Sequence, residues 1–373
     1  MPLVWPQLAL ATNSSPPMNA KVYHVRQRNV GQTLAQMMRS IFAGRSWGDV
    51  QNLIRKRRIQ VNGNVCVEEG RRLKDGDIVH VFDESQAKPV EAGELNIRFQ
   101  DEHLLVVEKP PGITVQRHAE EEHWDDKRKG RQPTLEELLQ SIADRDGFNK
   151  LPGRGAGGAT PQFKDRRQLA NRVRQHKQRI RVRAVHRLDR DTSGLMLFAL
   201  SPQAEQALVK LFAGHAITRA YLAVVHGGIE NTKIESDLVR DRGDGLRGSL
   251  PAGQTRDGAK HAVTHVKLIR HIASGGQDYS LIDCQLETGR THQIRIHLSE
   301  AGHTLCGERT YNRPSVGATP LADKSGAPRQ ALHAYRLAFT HPITGKPHTF
   351  ESKLPRDLQR FLNRLEEPPK DVA

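Results

Sequence analysis

The chain has 373 residues, 36% hydrophobic and 27% charged, with 57 Lys and Arg against 42 Asp and Glu, for a formal net charge of +15. No stretch reaches the ~18 uninterrupted apolar residues of a membrane span. Three scattered cysteines, Cys66, Cys284 and Cys306, exclude a disulfide framework and point to a reducing cytoplasm. A field of this sign attracts polyanions, nucleic acid before membrane; a generically basic surface is the plainer alternative.

The segment 1–20 reads as a disordered leader: "MPLVWPQLALATNSSPPM" lacks the basic start of a signal peptide and carries several prolines. A small module is expected over 28–84. "TLAQMMRSIF" has helical spacing, and "SWGDVQNLIRKRRI" opens on an N-cap serine, Ser46, with Val50, Leu53 and Ile54 on one face. "QVNGNVCV" predicts a hairpin at Asn62-Gly63, and "LKDGDIVHVF" a turn at Asp75-Gly76 before a closing strand. Polar 85–95 reads as a linker to a second domain over 96–365.

That domain begins with "HLLVVE", a buried strand, and the turn Lys109-Pro110-Pro111-Gly112. "TLEELLQSI" is a short amphipathic helix. A basic, glycine-rich insertion follows at about 145–183; from Lys150 to Arg183 there are eleven Lys or Arg and one Asp, 11 − 1 = +10. Its second half is either a free arm or a helix that orders on RNA. Then come a buried strand "GLMLFAL", a helix "PQAEQALVKLFAG", strands "TRAYLAVVHG", "DYSLIDCQLETG" and "HAYRLAFTHP", and a closing helix "PRDLQRFLNRLEE". Strands with few helices and no strict βαβ alternation predict an α+β fold on a mixed, largely antiparallel sheet.

Three patches carry chemistry. In "HRLDRDTSGL", Asp189 sits in a loop leading into a buried strand, so it must be solvated, hydrogen-bonded or paired. Arg187, Arg190 or a distant arginine could hold it ionised, lowering its pKa by ~1–3 units; a structural Asp–Arg pair closing the turn is the alternative. Asp191 reads as a turn-former and His186 as a positioned hydrogen-bonder. "LETGRTHQIRIHLSEAG" predicts a helix from near Thr291 with Ile294 and Leu298 inward and Arg290 at its edge, aimed into a cleft. His292, His297 and His303 match no metal-ligand spacing. "RAYLAVVHG" places Arg219 and Tyr221 on a strand, where a buried tyrosine is the plain reading.

These patches, with "EKPPG" and "LHAYRLAFTHP", stand in the order and rough spacing of the RNA pseudouridine synthases. The similar branch modifies large-subunit ribosomal RNA and carries an N-terminal alpha-L RNA-binding domain, which 28–84 resembles through its basic helix and Ile-x-Val-Asn-Gly. The resemblance covers about residues 30–360 apart from the insertion. It implies isomerisation of uridine to pseudouridine with no cofactor and no metal. Asp189 would be the catalytic carboxylate, attacking C1′ or abstracting a ribose proton. Arg290 would pair with it, and Tyr221 would stack on the flipped uracil and relay the C5 proton. Implied RNA contacts are Arg55, Arg57, Arg58, Lys109, His186, Arg187, His292 and Gln293, with Arg172 and Arg179 in the insertion.

Arg219 stands where the family usually has Lys, and Glu308 where it has Asp; the second departure bears on packing, not chemistry. The expected partner is ribosomal RNA, with tRNA as the alternative. The chain is expected to be a cytoplasmic monomer with no membrane or protein partner. A non-catalytic RNA-binding assembly factor is the competing class. A glycoside hydrolase would need a second carboxylate that no patch offers.

Overall fold

The computed structural model describes residues 20–61, 64–82, 90–117, 121–146, 180–251 and 253–367. The chain divides into two units, Met1–Gln86 and Ala87–Ala373.

In the first unit, two capping boxes start the helices. Thr33 accepts from Gln36 N–H at the head of α1 (Leu34–Ile41), and Ser46 accepts from Asp49 N–H at the head of α2 (Trp47–Arg55). Such caps contribute about 1 kcal/mol each. Leu34, Met37 and Met38 of α1 and Val50, Leu53 and Ile54 of α2 bury against Ile59, Val61, Val79 and Val81. Those last four lie on β2 (Ile59–Val61) and β4 (Ile78–Phe82), within an antiparallel sheet ordered β1-β4-β2-β3 with β1 (Ala20–His24) and β3 (Asn64–Val65). β2 and β3 pair as expected on either side of Asn62-Gly63; those two residues lie outside the described ones. Gly76 takes φ 78° at the second expected turn.

The second unit is an α+β fold on eleven strands. In chain order these are β5 (Asn96–Gln100), β6 (Leu104–Lys109), β7 (Arg183–Ala184), β8 (Ser193–Ala199), β9 (Thr218–His226), β10 (Thr232–Val239), β11 (Gly248–Ser249), β12 (Lys260–Ser274), β13 (Gln277–Leu286), β14 (Leu332–Thr340) and β15 (Pro347–Glu351). The sheet runs β11-β10-β12-β13-β9-β14-β8-β6-β5, with β15 on β14 and β7 on β8. Every pairing is antiparallel except β14 with β8, which touch at His333–Ser193 and Ala334–Gly194.

The helices are α3 (Asp126–Arg131), α4 (Leu135–Asp146), α5 (Pro202–Ala213), α6 (Gln293–Glu300) and α7 (Arg356–Glu366). Strand alternation sends Leu105, Val107, Met196, Phe198, Tyr221, Ala223, Ile282 and Cys284 to one core with α4 and α6. The intervening positions bury in two further cores. Leu104, Val106, Leu195 and Leu197 meet α5, and Val224, Tyr279 and Leu281 meet α7.

One expectation changes. Residues 90–95 were read as linker, yet Leu95 is buried and Val90 and Ala92 pack on the core with α4, because that segment carries three apolar side chains among its polar ones. Residues 147–179, which include Arg172 and Arg179, lie outside the described ones.

Candidate active site

Asp189 stands in the turn that feeds β8, where Thr192 N–H donates to its carbonyl at 3.1 Å. The turn is fixed from three directions. Gln330 donates to Thr192 Oγ1 at 2.6 Å, and Arg329 donates to the Asp191 carbonyl at 2.8 Å and to Ser193 Oγ at 3.0 Å. Gly112 N–H donates to the Arg190 carbonyl at 2.9 Å, and Arg190 Nε returns a bond to Gly112 O at 3.1 Å. The Pro-Pro-Gly turn after β6 is therefore a strut for the Asp189 loop.

The carboxylate is paired, but not with the expected arginine. Arg295 on α6 donates to Asp189 Oδ2 at 3.0 Å. The same guanidinium makes a two-toothed pair with Glu308, at 2.7 and 2.8 Å. Glu308 also accepts the backbone N–H groups of Arg309, Thr310 and Tyr311. Arg290 instead donates through Nε to the carbonyl of His261 on β12, at 2.9 Å. The reason is local. His292 adopts a left-handed φ of 60° just before α6, so the chain turns after Arg290 and the helix opens at Gln293. The glutamate at 308 thus belongs to the site's charge balance and not only to packing.

His292 faces the other carboxylate oxygen: its Nε2 lies 3.7 Å from Asp189 Oδ1, and its Nδ1 hydrogen-bonds the Tyr311 hydroxyl at 2.7 Å. The Arg295 guanidinium lies over the Tyr311 ring, 5.1 Å from its centroid. Asp189 keeps 18% of its side chain exposed, so this carboxylate is both paired and reachable. Tyr221 buries its ring in the core shared with α4 and α6, and among the described residues its hydroxyl makes no hydrogen bond.

Burial raises the pKa of Asp189, but the charge His292 takes up at low pH, with Arg295 and Arg187, outweighs it and holds the carboxyl below its usual range. Burial pushes His292 itself down to about 4, so at neutral pH the imidazole is uncharged and Arg295 does the holding. Burial raises the Tyr221 phenol; Arg219 opposes this and the Asp189 charge adds to it.

Several expected RNA contacts are occupied within the fold. Lys109 is 1% exposed and donates to the carbonyls of Pro110 and Arg190 at 3.0 and 2.8 Å, with burial pushing its ammonium down to about 7. Gln293 is buried, donating to Val263 O and Thr264 Oγ1 and accepting from Thr288 and Arg290 N–H. His186 accepts the Leu197 N–H at 2.9 Å, which makes it the positioned hydrogen-bonder expected. Arg58 donates to the Phe82 carbonyl at 2.8 Å, and Arg55, exposed, has Nε 4.0 Å from Glu69. Arg57 is half-buried with φ 59°, and Arg187 is exposed. Arg219 donates to the Glu287 carbonyl at 3.2 Å. His297 bonds Thr264 and Ser236, while His303 turns to the His226 carbonyl.

Arg295 and Tyr311 escaped the sequence reading, and Glu308 entered it only as a departure bearing on packing. The signal for Arg295 was its place between Ile294 and Ile296: a cation in an apolar run that packs all round requires a buried anion.

The buried imidazoles make the fold acid-sensitive. Burial sets His186 at about 3 and His292, His297 and His333 at about 4. Below the ordinary histidine value of about 6.5, the unfolded chain binds protons that these folded sites refuse, so stability falls as pH drops towards 4. The slope reaches about 1.4 kcal/mol per pH unit for each imidazole. Urea midpoints should drop between pH 7 and pH 5; a midpoint that does not move rejects the assignment.

Comparisons with known proteins give the family. A family model described as RNA pseudouridylate synthase matches residues 103–300. The chain is 34% identical over 321 residues to an uncharacterized RNA pseudouridine synthase, YlyB, of Bacillus subtilis, spanning 85% of this chain and 88% of the relative. It is 36% identical over 273 residues to the ribosomal large subunit pseudouridine synthase D of Zymomonas mobilis, spanning 73% of each. A solved structure, human RNA Pseudouridylate Synthase Domain Containing 4, is 21% identical with a TM-score of 0.49, covering 74% of this chain and 95% of that one.

Proposed function

From the premise that the chain belongs to the RNA pseudouridylate synthase family, we propose that it isomerises specific uridines of large-subunit ribosomal RNA, with Asp189 as the catalytic carboxylate. The carrying observation is the reachable Asp189 oxygen pair, one oxygen bonded to Arg295 and the other facing His292. Relatives named for the large ribosomal subunit support that substrate.

The reaction breaks the N1–C1′ bond, turns the uracil and joins C5 to C1′. The C5 proton is lost and one is gained at N1, so atoms and electrons balance without an oxidant. An ionised carboxylate beside the ribose either attacks C1′ or takes a ribose proton. Arg295 keeps it ionised in both cases. Among the described residues the Tyr221 hydroxyl has no hydrogen-bond partner, which suits it to the everted base and to relaying the C5 proton. Everting the nucleotide costs a few kcal/mol, offset in part by stacking worth ~1–3 kcal/mol.

The N-terminal unit serves in this reading as an alpha-L RNA-binding module, with Arg55 exposed at the end of its second helix. The protein acts as a cytoplasmic monomer; its three cysteines are free and buried, in keeping with a reducing compartment.

The test is carbodiimide-adduct primer extension on RNA from a deletion strain carrying either wild type or Asp189→Ala. Stops in large-subunit RNA with wild type alone are expected. Identical stops in both strains reject the activity, and stops confined to tRNA replace the substrate.

A further inference from the structure

The loop between β10 and β11 is built to a fixed shape. Asp241 Oδ1 accepts the backbone N–H groups of Gly243 and Gly245 at 2.7 and 2.9 Å, and the Asp241 carbonyl accepts from Arg256 at 2.7 Å. Arg242 N–H closes the loop on the Leu246 carbonyl at 2.8 Å. The Arg242 guanidinium, 4% exposed, pairs with Asp244 at 3.1 Å and Glu300 at 3.3 Å. Gly248 packs so closely on this side chain that a Cβ there would stand 2.3 Å from Arg242 Cδ.

The outcome of this bonding is where residues 246 and 247 go. Leu246 packs on the cluster of Leu238, Ala262, Ile296 and Tyr311. Tyr311 holds His292, and His292 faces Asp189. Arg247 follows directly, and its positive charge reaches both His292 and Tyr311, a small downward pull on each beside burial, which lowers His292 and raises Tyr311.

Arg247 is half-buried, and among the described residues its side chain has no hydrogen bond and no ion pair. Arg242 of the same loop and Arg295 behind Tyr311 each hold a carboxylate. A partly desolvated guanidinium left without an anion is unfavourable in the free protein. The loop nevertheless fixes it there through the bonds of Asp241, Arg242, Gly243, Asp244, Gly245 and Leu246.

We propose that the Arg240–Arg247 loop is a preformed phosphate clamp in which Arg247 binds a backbone phosphate of the RNA strand beside the everted uridine. The inference rests on the RNA-isomerising reading and adds to it a strand contact. Guanidinium geometry suits two phosphate oxygens at once.

The test compares full-length wild type, Arg247→Gln and Arg247→Lys on a large-subunit RNA fragment, by steady-state kinetics and by binding across a salt series. Arg247→Gln should raise KM about tenfold at low salt with kcat unchanged. Its slope of log affinity against log salt should be shallower by about 0.7–0.9, the share of one phosphate. Arg247→Lys should keep the slope, because the charge remains. An unchanged KM, or a raised KM with the slope intact, overturns the clamp. A wild type that isomerises no RNA sinks the underlying reading instead.

Discussion

Asp189→Asn should cut pseudouridine formation by at least about 10²-fold while leaving RNA affinity within a few-fold of wild type. The amide has nearly the same shape, keeps an oxygen for the Arg295 bond at Oδ2, and removes only the charge. The residual rate discriminates between the two chemistries. A carboxylate that moves a proton accounts for about 10²–10⁴ in rate. A carboxylate that forms the bond to C1′ leaves nothing above background when it is gone. Arg295 is the second half of the same test. Arg295→Leu strands two acids at once, Asp189 and the buried Glu308. Removing one partner of a buried pair typically costs about 3–5 kcal/mol. Asp189 then loses the cation that offsets its burial, so its pKa rises and the active ionised fraction falls. Arg290→Ala, by contrast, removes a bond to the His261 carbonyl and should leave turnover close to wild type. Single-turnover rates and thermal melts on the three variants decide the matter; a dead Arg290→Ala beside an active Arg295→Leu would reverse the assignment.

That contrast shows where reading along the chain stops. The strands of the larger unit were legible because alternation or continuous apolar runs mark them: β8 is buried at every position from Ser193 to Ala199. The helices of the smaller unit were legible from the helical spacing of "TLAQMMRSIF" and from Ser46, a strong cap three residues before Asp49. Asp189 stood out because a carboxylate beside a buried strand must be explained. Its partner did not, because Arg290 and Arg295 differ by five positions and the choice turns on one backbone conformation, the left-handed His292. Lys109 misled for a related reason. A lysine reads as a surface charge, but successive prolines cannot donate, so carbonyls at the turn need a donor from elsewhere. The Lys109 amine supplies it and is sealed in. Glu308 was legible only as a departure; its bond to Arg295 joins residues thirteen apart across a loop, which no periodicity marks.

Gly194→Ala should fail to fold, and the reason ties the site to the sheet. Gly194 has φ 122°, a conformation side chains rarely adopt, and a Cβ there would sit 2.2 Å from the Ala334 carbonyl oxygen. The obstacle is backbone, so no rotamer change relieves it. Ala334 cannot retreat either. It is the place where β14 and β8 make their short parallel contact, with β14 also held by β9. Next to it, Ser193 bonds His333 at 2.9 Å and Arg329 at 3.0 Å, so a shift of the strand start breaks a buried network as well. Overpacking and strain of this kind exceed about 4–5 kcal/mol, against a total stability of ~5–15 kcal/mol. The glycine after Thr-Ser is therefore what lets the Asp189 turn lie flat against β14. Gly302→Ala makes the matched control: φ is 85° there, but nothing lies within 4 Å of the added carbon. Only backbone strain of about 1–3 kcal/mol applies at that site. Soluble yield and melting temperature should separate the two variants sharply, and a Gly194→Ala protein that melts no lower than Gly302→Ala would show that β8 and β14 can part without cost.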